Sequence, residues 1–284
     1  MFTTFIDWSK KNPVPAFFVL TFAIAWSVWL PLGFLVPENP FFSLPGAWAP
    51  TVSALILIGI SEGRDGIRKF LKRLLRWRVG VGWYLAVLFG VAMIAYLAIA
   101  VGKALGIPAP ALSLPNGMPR EMLPTFLPVI FLINIFAGGP LAEDIGWRGY
   151  ILPKMRDGMT ALHASLVIGI VWAIWHLPYF IFPAWRSVVG NIPFVWFALL
   201  TTSWSVLFAW VYVNTESILM PVLFHAAINT TLGTLGVLGQ SNGDLIPLML
   251  NTLFTWIAVA IIVATYGQDL KRTNDVYVEQ SSIG

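Results

Sequence analysis

Eight long apolar segments dominate this chain, at roughly 14–36, 41–61, 81–102, 123–142, 160–182, 191–213, 217–240 and 245–266. Each is about long enough, as a helix rising ~1.5 Å per residue, to cross ~30 Å of hydrocarbon. The runs are too long and continuous for barrel strands, and in lipid a helix satisfies its own backbone groups. The expected fold is therefore an all-α polytopic membrane protein, a single integral membrane domain over residues 1–284 with about eight transmembrane helices. Composition agrees, since 58% of the residues are hydrophobic and only 11% charged. Pro31, Pro50, Pro128, Pro178 and Pro221 fall inside these segments, where neighbouring helices can satisfy the carbonyls a proline frees. The charge-free run from Pro13 to Val36 lacks a small-residue cleavage pattern and many apolar runs follow it, so it reads as a retained span, not a removed signal peptide.

The absence of cysteine excludes disulfides, thiol nucleophiles, thiolate zinc sites and iron–sulfur clusters. The net charge of +4 does not point to nucleic acid, because the basic residues gather in a short stretch beside apolar segments. With the N-terminus inside, the inner connections receive fourteen of the 17 lysines and arginines, Arg148, Lys154, Arg156, Lys271 and Arg272 among them, and the outer ones Lys103, Arg120 and Arg186. Both termini are thus expected in the cytoplasm, in a bacterial or archaeal plasma membrane. Residues 62–79 read as a basic amphipathic cytoplasmic loop, either a topology anchor or a helix lying on anionic lipid.

Ionisable residues in spans cost at least ~2.5–3.5 kcal/mol each on insertion scales, so the few present are candidates for function. They are Glu143, Asp144 and Arg148 at the end of the fourth segment, His163 and His176 in the fifth, and His225 with Asn229 in the seventh. Four-residue spacing puts Asp144 beside Arg148 and His225 beside Asn229, and turns Glu143 ~100° away from its acidic neighbour, toward the bundle interior. Asp144 and Arg148 then support the turn, and a polar site is expected between helices four, five and seven. His163, close to the inner end, is expected to make an interhelical hydrogen bond. Glu216 is expected near the first turn of the seventh helix. Asn134, Thr201 and Thr202 read as packing residues, and Trp147 and Trp172 as lining.

Three chemistries fit this set. Glu143 and His176 could activate a water that attacks a peptide carbonyl, with His225 and Asn229 donating to the oxyanion. Glu143, His176 and His225 could instead bind a divalent metal such as zinc, although the HExxH signature is absent. The third chemistry is a proton or ion relay in a non-catalytic or transport-type protein. A simple count also leaves a mismatch in depth, because His176 lies about sixteen residues, ~24 Å, into its segment while Glu143 closes the preceding one. A break at "AGGP", 137–140, followed by a buried helix, would bring the two together.

The stretches "EDIGWRG" (143–149), "WAIWH" (172–176) and "HAAIN" (225–229) resemble, in order and spacing, the three motifs of the CAAX protease and bacteriocin-processing intramembrane proteases. The resemblance covers about residues 123–240, the expected protease core, and implies an eight-helix fold and an endopeptidase acting on a peptide or lipidated protein substrate at the bilayer. It implies that Glu143 and His176 activate water, that His225 and Asn229 face the oxyanion, and that Arg148 supports the acid pair. Two letters depart from the family pattern. Asp144 stands where a second glutamate is usual, which puts in doubt any role needing that acid's reach, and Trp172 stands in place of phenylalanine.

Overall fold

The computed structural model describes residues 2–271 except 37, 115–117, 191 and 239–244, with the side chains of residues 2–4 and 40 left aside. Arg272, counted above among the inner cations, lies outside the described residues. Among the described residues the chain is helical, with no strand. A short helix, α1 (Phe2–Lys11), precedes α2 (Pro13–Leu35), and α3 (Ala49–Leu74) and α4 (Val81–Ala104) follow. The fourth expected span is broken into α5 (Leu123–Ala137), α6 (Pro140–Gly146), a π-helical turn (Trp147–Ile151) and α7 (Leu152–Arg156). The remaining long helices are α8 (Ala161–Trp175), α9 (Phe194–Thr215), α10 (Leu219–Thr234) and α11 (Ile246–Tyr266), with shorter helical turns between α8 and α9.

Each of the eight expected segments overlaps one of these helices, and among the described residues six helical stretches, the fourth being α5 together with the turn before it (Arg120–Ala137), are long and apolar enough to cross a membrane. The chain is a multi-pass membrane protein. The other two, α8 and α10, are shorter than expected, at 15 and 16 residues. Pro178 explains the end of α8: it has no N–H to continue the ladder, and its ring conflicts with the carbonyl four residues back. The fifth segment therefore stops as a regular helix at Trp175, and His176 becomes its cap.

The break in the fourth span falls within "AGGP". Gly139 has a φ of +97°, a left-handed conformation open to glycine and strained for a residue with a Cβ. The chain re-enters as α6, which is buried along most of its length. Its carbonyl at Ala142 accepts a 2.6 Å hydrogen bond from Thr51 Oγ1 of α3. At Gly146 the two backbones approach so closely that a Cβ would lie 2.4 Å from the carbonyl carbon of Pro50. Helix α6 is thus held inside the bundle, and more chain, as far as Arg156, is consumed before α8 begins. Glu143 consequently sits far deeper than the end of a span.

Several polar residues differ from expectation in their partners. Arg148, counted with the inner cations, is instead enclosed in the bundle at 1% exposure. His163 makes no interhelical bond among those described; its Nδ1 lies 2.7 Å from Thr160 Oγ1, the N-cap of its own helix. Glu216 ends α9 in a left-handed conformation and does not begin α10, and its carboxylate pairs with Arg76 at 2.6 Å. The basic stretch extends α3 past a bend at Gly63, burying Phe70 and leaving Leu75 and Trp77 exposed. Thr201 and Thr202 return their hydroxyls to carbonyls of α9, and Asn134 reaches Thr230 Oγ1 of α10 at 3.0 Å.

Candidate active site

Helices α6, α8 and α10 bring Glu143, His176, His225 and Asn229 onto the wall of one cavity of about 90 Å³, room for several waters. Glu143, His176 and His225 are buried, and Asn229 is half-buried.

The place of His176 as a helix cap fixes its chemistry. Its backbone N–H turns to Ala173 O, which leaves the Trp172 carbonyl without its usual helical donor. That carbonyl lies 2.8 Å from His176 Nδ1. A carbonyl can only accept, so Nδ1 carries the proton and the neutral ring keeps an unprotonated Nε2. The ring is packed edge-on against Trp175 and Phe197, at centroid distances of 4.8 and 5.1 Å.

His225 is oriented from a different direction. Its Nδ1 lies 2.9 Å from Asp144 Oδ2, while Asp144 Oδ1 accepts a 2.7 Å bond from Arg148 Nη1. The short acid at 144 thus reaches two partners on two helices. Arg148 is sandwiched by aromatic faces, its Cζ 4.6 Å from the Trp172 ring centre and 4.4 Å from that of Phe208. Such stacking suits a guanidinium, which is weakly hydrated and planar. Asn229 Nδ2 donates to Gly138 O at 3.1 Å, tying α10 to the break in the fourth span.

Trp172 does more than line the site. Its indole N–H donates to Glu143 Oε2 at 2.6 Å, a buried charge-assisted bond that a phenylalanine could not make. The signal available in the sequence was the extra N–H at this position; its partner, 29 residues away, was not visible. Phe208 and Tyr179, beside Arg148 and His176, carried no signal that separated them from other aromatics in spans.

Among the described residues, no three histidine, aspartate or glutamate side chains gather closely enough to hold a metal ion. In this arrangement Glu143, His176 and His225 share a cavity without forming a ligand set, and Glu143 Oε2 is engaged by Trp172.

A helical membrane bundle with a carboxylate, two histidines and an amide on one buried cavity has the groups of a hydrolase working within the bilayer. A family described as "Type II CAAX prenyl endopeptidase Rce1-like" matches residues 124–231, a stretch that includes all four side chains. A protein of Methanococcus maripaludis named "CAAX prenyl protease 2" is 25% identical over 233 residues, covering 78% of this chain and 83% of its own length. These similarities support the CAAX protease and bacteriocin-processing family, and the chain is a peptidase. Of the two classes open to the polar cluster, the enzyme stands and the transport-type alternative falls away.

Proposed function

We propose that this protein is an intramembrane endopeptidase that hydrolyses a peptide bond in a membrane-associated or lipidated protein or peptide, using a water activated by Glu143 and His176. The observation that carries the reading is the convergence of Glu143, His176, His225 and Asn229 on the wall of one cavity with room for several waters. In this mechanism the Glu143 carboxylate, assisted by His176 Nε2, takes a proton from water as the oxygen attacks the scissile carbonyl. The oxyanion that forms faces His225 Nε2–H and the Asn229 amide. His225 donates there as an imidazolium whose charge Asp144 balances. The proton held by Glu143 then passes to the leaving amine as the C–N bond breaks. Asp144 and Arg148 are positioning residues, acting through His225 and the turn. The distribution of lysine and arginine supports both termini lying in the cytoplasm.

The test is cleavage by purified full-length protein in detergent of two peptide sets, prenylated C-terminal tails and unmodified membrane-spanning peptides. Failure to cleave either set would remove the reading. A divalent metal held by Glu143, His176 and His225 is the rival source of hydroxide, and excess chelator separates the two. Activity is expected to persist; loss on chelation with recovery on adding zinc would replace glutamate-activated water by metal-bound hydroxide.

Trp172→Phe keeps an aromatic wall and deletes the donor to Glu143. A charge-assisted hydrogen bond of this kind contributes ~1.5–3 kcal/mol, so kcat is expected to fall about tenfold or somewhat more, with KM little changed. An unchanged kcat would mean that the indole holds Glu143 only in the resting enzyme.

A further inference from the structure

The cavity takes its mouth from one end of the bundle. Ser43, Leu44 and Ala47 come from the connection after α2, Val188 and Val189 from that after α8, and Leu238 from the segment after α10. A second cleft, of about 270 Å³, shares Gly138, Val188, Asn229 and Leu238 with the first and runs on past Ser113 and Ser187. Alternation of eight spans puts all of these connections on the same side. Contacts agree: Ser113 N donates to Thr234 O at 2.9 Å at the end of α10, and Trp29 Nε1 donates to Ser43 O at 2.6 Å.

The other end of the bundle is tied together separately. Ile218 N donates to Arg73 O at 3.1 Å, Ser217 Oγ to Arg76 O at 2.6 Å, and Leu162 N to Gln268 O at 2.9 Å. That end carries twelve of the described lysines and arginines, including the run from Arg64 to Arg78, whereas the end with the mouth carries Lys103, Arg120 and Arg186. Removing the buried Arg148 from the inner tally leaves the asymmetry intact. Positive charge of this kind near span ends marks the cytoplasmic side.

We propose that the site is loaded from the extracytoplasmic face, so that its substrates are polypeptide segments presented on that side of the membrane and not lipidated tails in the cytoplasm. Depth supports the same direction. Asn229 lies five residues, ~8 Å of helical rise, from the end of α10 at Thr234, and His225 ~14 Å from it. His176 stands at the very end of α8, where the chain turns through the mouth. A peptide entering from this side meets Asn229 and His176 first and Glu143 below them. No wall of the cavity comes from the basic end.

This inference rests on the cavity being the peptidase site, but the face on which it opens can be read without catalysis. The chain has no cysteine, so single-cysteine variants report alone. Ser187→Cys and Ser113→Cys mark the mouth, and Gly158→Cys marks the opposite end; all three positions are exposed, with open space around Gly158. In intact cells, a membrane-impermeant maleimide is expected to label the two mouth variants as fully as after permeabilisation, and Gly158→Cys only after permeabilisation. The reverse pattern, or labelling of both ends from outside, overturns the proposal and leaves hydrolysis untouched. Absence of cleavage in purified protein with the expected labelling would instead remove the peptidase mechanism and leave the orientation standing.

Discussion

Changing Glu143 to glutamine is expected to lower kcat for peptide cleavage by about 10²–10⁴-fold, the usual contribution of a positioned general base. The substitution is nearly isosteric, and the glutamine carbonyl can still accept from Trp172 Nε1, which now lies 2.6 Å from the carboxylate. The amide cannot take a proton from water, so the loss falls on the chemical step and KM stays within a few-fold of its starting value. Space also favours this variant over a larger change, because a Cβ on Gly139 would already lie 2.3 Å from Glu143 Oε1. Initial rates for wild type and variant, with matched melting temperatures in the same detergent, make the measurement. A variant within threefold of wild type would take Glu143 out of the chemistry.

The sequence carried the helices and the local pairs because both depend on short-range periodicity. Apolar runs of span length identify membrane helices, and four-residue spacing put Asp144 beside Arg148, now 2.7 Å apart, and His225 on a face with Asn229. The glycines at 138 and 139 also announced the break that resolves the depth of Glu143. Tertiary partners were out of reach. Asp144 and His225 are separated by 81 residues and Glu143 and Trp172 by 29, and no periodicity encodes which helix faces which. Arg148 misled for a related reason. An arginine just past an apolar run ordinarily marks a membrane surface, and only the aromatic faces of Trp172 and Phe208 with the carboxylate of Asp144 make its burial tolerable. The aspartate at 144, the letter that weakened the resemblance, is the one fully buried acid that bridges Arg148 to His225.

Removing that bridge is expected to be the most damaging single change to stability. Asp144→Ala leaves the Arg148 guanidinium at 1% exposure without its ion-pair partner, and its Nη2 has no hydrogen-bond partner among the described residues. Breaking one side of a buried pair typically costs ~3–5 kcal/mol, of the order of a small domain's whole stability. Stacking on Trp172 and Phe208 offsets part of this, since desolvated cation–π contacts contribute ~2 kcal/mol, but those contacts exist in the wild type and are not gained. The expected result is a lowered unfolding midpoint in mild detergent together with loss of cleavage. A double variant separates the two effects. Asp144→Leu with Arg148→Met replaces both charges by apolar groups of similar size, which is often neutral or stabilising for buried pairs. It is expected to recover most of the midpoint without recovering cleavage, because His225 Nδ1 has lost the carboxylate that now lies 2.9 Å away. Recovery of cleavage along with stability would show that Asp144 serves the fold alone, and that His225 needs no partner to do its work. Asp144→Glu, the letter usual in the family, gives a third point. The added methylene enters a fully buried position, where overpacking costs ~1–3 kcal/mol, so this variant is expected to keep both contacts and cleavage at a reduced midpoint.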